Sequence, residues 1–326
     1  KKYGQGTTCS VALKELSSQV RSKMNLTSTH TFISKAEREL KESLESCGMK
    51  CISSLRSKGP EIDIFVEECN VGIEFDGLLY HSELYGKKHP SYHSGKTEFY
   101  AKQGIHIIHV FEDEWYRKKQ VVINRILHSC NQLKPLDKIY ARNCVIDTDI
   151  SHAEREAFLE KNHLQGTDRS SLIYGLRYKN ELVSLMTFSG MRAPMSKSSN
   201  KKCFELVRFA SKLDSQVIGA ASKLIKRFIT EHSPASIVSY GDLRWINPDR
   251  NLYKSLGFTE IKRSRPSYWY MKTYSTRLHR YNFTKHRIVN SLGGDSTKTE
   301  WENMQLFGYD RIWDCGTVKY ELTPTY

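Results

Sequence analysis

The stretch from Gly59 to His81 constrains the fold of this chain more than any other part of its sequence. Apolar residues alternate with polar ones over 62–66, and after a short polar turn they alternate again over 71–75. Successive side chains of a β-strand point to opposite faces, so this period predicts two adjacent strands that share one apolar face. Three carboxylates, those of Asp63, Glu74 and Asp76, then fall on the opposite, non-core face.

Carboxylates gathered on one sheet face repel each other unless a cation lies between them. Hard oxygen ligands of this kind suit Mg²⁺ or Mn²⁺. We therefore expect Asp63, Glu74 and Asp76 to be metal ligands. The sequence leaves open whether Glu74 or Asp76 supplies the second ligand, and a solvated β-hairpin with charged outer residues is the alternative structure.

With its flanking segments, the stretch resembles the very-short-patch-repair branch of the PD-(D/E)XK nuclease superfamily and the phage homing endonucleases related to it. The signature of that branch is Glu-Asp-x-His-Asp. The residues that the resemblance implies for catalysis are Glu37, Asp63, Asp76, His81, His93 and Lys96. It implies a metal-dependent, site-specific endonuclease, a hydrolase that cleaves phosphodiester bonds in duplex DNA with Mg²⁺ (or Mn²⁺). The usual superfamily lysine is absent, since E-F-D stands where E-x-K would be.

Some of these residues have a second interpretation. Ser34 and Glu37 form a capping-box pattern at the start of a helix predicted over 34–47, so Glu37 could be a cap partner only. His93 and Lys96 could equally belong to a surface loop. A buried strand over 105–111, the acids at 112–114 that follow it and a helix from about 118 to 131 complete a compact α-β-β-α-β-α core.

The second half of the chain resembles the GNAT acyltransferase fold, and also phage proteins related to the Mom DNA-modification enzyme. Two segments carry the resemblance, Q-V-I-G-A-A from Gln216 and Y-K-S-L-G-F from Tyr253. It implies that Gln216, Gly219 and Ala221 hold the pyrophosphate of acyl-CoA, if this cofactor binds, and that Tyr253 is a general acid. Because the second glycine of the loop is missing, we expect a scaffold that contacts DNA and do not expect acyl-CoA to bind. The alternative is a GNAT-type acyltransferase that modifies nucleic acid or protein and carries a degenerate nuclease domain.

Charge favours a polyanionic partner. The formal net charge is +14, and residues 261–290 hold eight Lys/Arg, no Asp/Glu and six interleaved aromatic residues. Basic side chains neutralise phosphates, and aromatic rings stack on bases. The predicted contacts to double-stranded DNA are Arg277, His279, Arg280, Lys285 and Arg287. The sequence leaves open whether the protein is a monomer or a homodimer.

The predicted fold class is α/β (α+β), in four segments. They are a basic tail or remnant of a DNA-binding repeat (1–30), a nuclease core with a mixed sheet (31–134), a GNAT-like domain (135–290) and an aromatic tail docked on it (291–326). No long apolar run predicts a membrane span. Eight cysteines without a C-x-x-C pair predict reduced thiols and a cytoplasmic protein, in the host of a phage.

Overall fold

The computed structural model describes residues 33–132, 137–190 and 202–325. The predicted basic tail (1–30) and the predicted boundary at 134/135 lie outside these ranges. Among the described residues, no helix is both long and apolar enough to cross a membrane.

The first sheet has four strands, and their spatial order, β1-β2-β3-β4, is the same as their order in the chain. They are β1 (Cys51–Leu55), β2 (Ile62–Val66), β3 (Val71–Asp76) and β4 (His106–Phe111). The first three pair antiparallel and β4 pairs parallel with β3, so the sheet is mixed. The alternation over 62–66 and 71–75 thus corresponds to two paired strands.

Helices cover both faces of this sheet. They are α1 (Lys35–Ser46), α2 (Tyr92–Ala101) and α3 (Glu112–Ser129). Leu40 of α1 and Val122 of α3 share one apolar cluster with Ile73, whereas Tyr100 of α2 packs with Ile107 in another.

The polar face of β3 is therefore not solvated. All six residues of the strand are buried, and the exposed fractions of Glu74 and Asp76 are 2% and 0%. The expectation of a non-core face is wrong at this strand, because the alternation of side chains identifies the two faces but not what covers them. The solvated hairpin is wrong for the same reason.

The helix predicted from about residue 118 begins earlier, at Glu112. The acids at 112–114, predicted at the end of a strand, form its first turn, where negative charge is favourable. Lys118 has non-helical dihedral angles and marks a kink in α3.

The second sheet has seven strands. They are β6 (Val145–Asp147), β7 (Leu172–Tyr178), β8 (Glu181–Gly190), β9 (Cys203–Ser211), β11 (Ser236–Asp242), β12 (Thr259–Arg263) and β16 (Thr317–Leu322). Their order is β12-β16-β11-β9-β8-β7-β6. A separate parallel pair is formed by β5 (Asp137–Tyr140) and β10 (Ser215–Ile218).

Three helices accompany this sheet. They are α4 (His152–Asn162), α5 (Ala220–His232) and α6 (Leu252–Ser255). Phe228 of α5 stacks on Phe188 of β8 at 3.7 Å between ring centroids, within the main apolar cluster. Leu159 of α4 packs in a separate cluster with Leu185. Helices on both faces give the α/β layering that the sequence predicts.

An insertion separates β12 from β16. It contains β13 (Tyr268–Met271), β14 (Leu278–His279), β15 (Asp310–Trp313), α7 (Lys285–Leu292) and α8 (Glu300–Leu306). Met271 and Ile312 of this insertion pack against Leu78 and Phe111 of the first unit. The last strand, β16, then enters the seven-stranded sheet between β11 and β12. The tail predicted at 291–326 therefore forms part of two sheets.

Cys69 and Cys130 form a disulfide bond. The expectation of reduced thiols is wrong for this pair.

Candidate functional site

Two regions concentrate the residues that the sequence singles out. The first is a buried cluster of carboxylates and histidines beneath α2, and the second is a cleft in the seven-stranded sheet.

Helix α2 places the side chains of Lys96 and His93 against the carboxylates of the sheet beneath it. Lys96 forms an ion pair with Glu74, and its side chain is 9% exposed. His93 is buried, with its Nε2 3.5 Å from Asp76 Oδ1. The alternative of a surface loop thus does not hold for either residue.

Asp76 lies at the centre of three imidazoles. His81 Nδ1 is 3.0 Å from its Oδ1, and His109 Nδ1 is 2.9 Å from its Oδ2. Burial alone would raise the pKa of Asp76, but His93, His109 and His81 together hold it well below its usual range. Asp76 is therefore a buried carboxylate anion. His109 was not among the sequence candidates, and its only signal was a histidine within a buried, apolar strand.

The remaining acids are less strongly compensated. Burial raises the pKa of Asp63, whose Oδ2 accepts a hydrogen bond of 2.8 Å from the backbone N–H of Phe75. Burial and the charge of Asp63 raise the pKa of Glu37 to about 7. The predicted cap is present as well, since Ser34 Oγ accepts from Glu37 N at 3.0 Å. The structure thus brings Glu37 near Asp63 and keeps its backbone in the capping role.

All five predicted DNA contacts lie on the insertion between β12 and β16. His279, Lys285 and Arg287 are exposed, and Arg280 lies over the ring of Tyr268. The side chain of Arg277 is only 7% exposed. It binds Asp113 and Glu114 of α3 at 2.7 and 2.8 Å, which ties the insertion to the first unit.

The cleft begins where β9 and β11 part. The two strands pair in parallel over three residues only, the last pair being Glu205 and Val238. Beyond that point both strands line a cavity of about 1620 Å³. Ser239 Oγ lies 2.8 Å from Leu206 O and 3.3 Å from the hydroxyl of Tyr253, so Tyr253 reaches the fork between the strands. Burial raises the pKa of this tyrosine and keeps it protonated at neutral pH.

The start of α5 forms one wall of the same cavity. Gly219 is the N-cap, with a φ of +82° that favours glycine, and no side chain caps the helix. The first N–H groups of a helix have no partner within it and carry partial positive charge. Gln216, Gly219 and Ala221, predicted to bind a pyrophosphate, all line the cavity.

Two arginines face the cavity from opposite sides. Arg125 belongs to α3, where it lies over the ring of Trp245, and Arg208 belongs to β9. Among the described residues, neither guanidinium group has a carboxylate oxygen within 4.0 Å. Burial lowers the pKa of both, and more distant acids offset it in part, Asp242 and Glu114 for Arg125 and Asp168 and Glu205 for Arg208.

Comparison with known proteins identifies acetyltransferases of known structure. No family model matches the chain, and no curated protein is similar to it. The ribosomal-protein-S18-alanine N-acetyltransferase of Escherichia coli is 12% identical, with 56% of this chain and 96% of that one covered and a TM-score of 0.31. A Bacillus subtilis acetyltransferase in complex with CoA is 14% identical, with 56% and 99% covered and a TM-score of 0.32.

A third similar structure is a GNAT acetyltransferase of Elizabethkingia anophelis with acetyl-CoA bound. It is 14% identical, with 56% of this chain and 99% of that one covered and a TM-score of 0.28. At such identities and scores, nothing about the substrate or the site residues of this chain follows from these three proteins.

The comparisons nevertheless correct the main prediction. The similar structures are acetyltransferases, so the predicted metal-dependent endonuclease, its hydrolase chemistry and its Mg²⁺ or Mn²⁺ cofactor are contradicted. The PD-(D/E)XK core and the homing-endonuclease resemblance find no support. The expectation that acyl-CoA does not bind is also contradicted, since two of these structures hold CoA or acetyl-CoA. The chain is a mixed α/β protein.

Proposed function

We propose that this protein is a CoA-dependent N-acyltransferase that acts on an amine of a nucleic acid. One observation carries the proposal: β9 and β11 part beside the uncapped start of α5, and the hydroxyl of Tyr253 lies at the fork. Parted strands leave backbone N–H and C=O groups free to bind an extended amide chain. The arm of CoA that joins its thiol to its phosphates is such a chain.

The start of α5 suits the phosphate end of that cofactor. Free N–H groups and the helix dipole favour an anion there. Gly219 lets the backbone turn into the helix, and β10 is fixed by its pairing with β5. Ala221 in place of a second glycine is buried beneath the turn, on the core side of α5, where its methyl group packs in the main apolar cluster.

The chemistry at the fork is acyl transfer. The acceptor nitrogen attacks the thioester carbonyl, a C–N bond forms, the C–S bond breaks, and the amine releases its proton to solvent, from which the tyrosinate of Tyr253 is later reprotonated. The leaving thiolate of CoA needs a proton, which the neutral hydroxyl of Tyr253 can donate. Tyr253 also donates to the carbonyl of Tyr240 at 3.3 Å, which holds its ring at the fork.

Charge supports a nucleic-acid acceptor, with duplex DNA as the partner. Arg125 and Arg208 bring buried positive charge to the cleft wall, and the chain carries a formal net charge of +14. A phosphate group entering the cleft would restore the balance.

Calorimetry with CoA tests the cofactor site. Ser222 is exposed in the first turn of α5 and lines the cavity, so Ser222→Glu places a carboxylate where a phosphate would bind. A carboxylate in a first helical turn does not destabilise the helix, yet we expect it to weaken CoA binding at least about tenfold by like-charge repulsion. Thr230→Glu, exposed near the other end of the same helix, is the matched control and should bind CoA normally. Equal affinity in both variants would refute the site.

Tyr253→Phe tests the chemical step. We expect kcat to fall roughly a hundredfold with unchanged affinity for CoA, because only the proton donor is removed. Tyr281→Phe, whose ring is 69% exposed on the insertion, is the control. The assay follows CoA thiol released from acetyl-CoA in the presence of duplex DNA, and an unchanged kcat in Tyr253→Phe would contradict the assigned role.

A further inference from the structure

The cluster beneath α2 contains a site that acyl transfer does not use. Asp76, His81 and His93 each place one potential ligand atom within 4.8 Å of the other two. We propose that these three residues bind one Zn²⁺ ion, with a fourth position open to solvent on the side of His81. The proposal does not depend on the acyltransferase activity.

The distances between the ligand atoms fit one ion. Asp76 Oδ1 lies 3.0 Å from His81 Nδ1 and 3.5 Å from His93 Nε2, and the two nitrogens are 2.9 Å apart. A tetrahedral ion with bonds of about 2.0–2.1 Å places its ligand atoms about 3.3 Å apart. The nitrogens of His81 and His93 must therefore move apart by about 0.4 Å to share the ion.

The imidazole rings of His81 and His93 meet nitrogen to nitrogen. Their planes are inclined by only 12°, their centroids are 5.2 Å apart, and the facing nitrogens are 2.9 Å apart. The centroid separation equals the nitrogen separation plus one ring radius at each end, so the two nitrogens point at each other as in a hydrogen bond. Binding one ion therefore requires both rings to turn until their nitrogens converge on it.

Without a cation, the cluster leaves a buried carboxylate oxygen poorly satisfied. Asp76 is completely buried, and its Oδ1 has no hydrogen-bond donor with good geometry among the described residues, although His81 Nδ1 lies 3.0 Å away. A buried, unsatisfied charge is costly, and metal coordination relieves that cost.

A second set of contacts orients the carboxylate and the helix. His109 Nδ1 contacts the other oxygen of Asp76 at 2.9 Å, and Thr97 Oγ1 contacts His109 Nε2 at 3.0 Å. Thr97 also donates to the carbonyl of His93 at 3.1 Å. Supporting hydrogen bonds of this kind are typical around metal ligands in proteins.

The ligand set identifies the ion. Two imidazole nitrogens and one carboxylate oxygen suit Zn²⁺, whereas Mg²⁺ prefers oxygen ligands alone. This set differs from the predicted one, since Glu74 is paired with Lys96 and Asp63 accepts from the backbone of Phe75. The side chain of His81 is 17% exposed, while those of Asp76 and His93 are buried, so water can reach the ion only from the side of His81.

Metal titration of the full chain tests the proposal. Protein stripped by dialysis against a chelator is titrated with Zn²⁺ by calorimetry and with Co²⁺ by visible absorption. We expect one ion per chain and the visible bands of tetrahedral Co²⁺ without the near-ultraviolet bands of thiolate ligands, which separates this site from the cysteines. His81→Gln should weaken binding at least about a hundredfold.

The controls make each outcome decisive. His89→Gln replaces a neighbouring exposed histidine whose ring bonds to Ser91, and it should bind Zn²⁺ like the wild type. His81 is partly exposed, so His81→Gln should retain the circular dichroism spectrum and CoA affinity of the wild type. Failure of the wild-type chain to bind Zn²⁺, unchanged affinity in His81→Gln, or loss of binding in His89→Gln would overturn the proposal.

Discussion

The carboxylate of Glu114 connects three parts of the molecule, and its removal should lower the free energy of unfolding. Glu114 lies on α3, and it accepts hydrogen bonds of 3.0 and 2.9 Å from Arg244, which follows β11. It also accepts one of 2.8 Å from Arg277 of the insertion. Burial would raise the pKa of Glu114, but the two guanidinium groups lower it to about 2.

The pKa gives the magnitude. An unfolded glutamate has a pKa of about 4.3, and each unit of difference corresponds to about 1.4 kcal/mol, so the interaction is worth about 3 kcal/mol at neutral pH. Because the folded pKa lies below the unfolded one, this stability is present above pH 4.3 or so and is lost as the pH falls toward 2. Glu114→Gln should therefore lower the free energy of unfolding by about 3 kcal/mol at pH 7.

Urea unfolding, followed by tryptophan fluorescence, measures this difference at several pH values. The difference in free energy of unfolding between wild type and Glu114→Gln should become smaller as the pH falls from 4.3 toward 2, because glutamine does not titrate. Glu39→Gln removes an exposed carboxylate 2.9 Å from Lys119 and should change stability little. A difference in free energy of unfolding below about 1 kcal/mol at pH 7, or one that does not depend on pH, would refute the stabilising role of Glu114.

Two further predictions concern stability. Burial lowers the pKa of His106 to about 4, so the unfolded chain takes up the proton first, and the free energy of unfolding should fall by about 3 kcal/mol as the pH drops from 6.5 to 4. His106→Gln should lack this fall in urea titrations. An equal fall in both proteins would contradict the prediction. Gly316 and Gly308 have φ values of +82° and +76°, but an added Cβ would lie 2.7 Å from Ser264 O at Gly316 and near nothing at Gly308. Gly308→Ala should cost about 1 kcal/mol and Gly316→Ala clearly more, and equal melting temperatures would show that the close contact is relieved without cost.

Local signals predicted the elements well. The strands over 62–66 and 71–75, and the N-cap Ser34, are present in the structure. Each depends on residues within a few positions of one another, namely the alternation of a strand or a hydroxyl that accepts from the third N–H of a helix. The parting of β9 and β11 has no comparable local signal, because two distant strands must pair and then diverge.

What covers a polar face was decided by the tertiary structure. The sequence placed Glu74 and Asp76 together on one face of β3, but only the packing of α2 buried them beneath His93 and Lys96. The same holds for Arg277, which a basic, aromatic stretch made a candidate for DNA and which is in fact buried against acids of α3.

The sequence by itself thus determined the strands over 62–66 and 71–75, the capped start of α1, and that the chain is strongly basic, but it did not determine where α3 begins. The tertiary structure decided that the last strand, β16, lies between β11 and β12 after an insertion, and that Tyr253 meets the fork of β9 and β11. The physical reason is that hydrophobic period and capping act over a few residues. The partner of a buried charge or of a strand edge, in contrast, can come from anywhere in the chain.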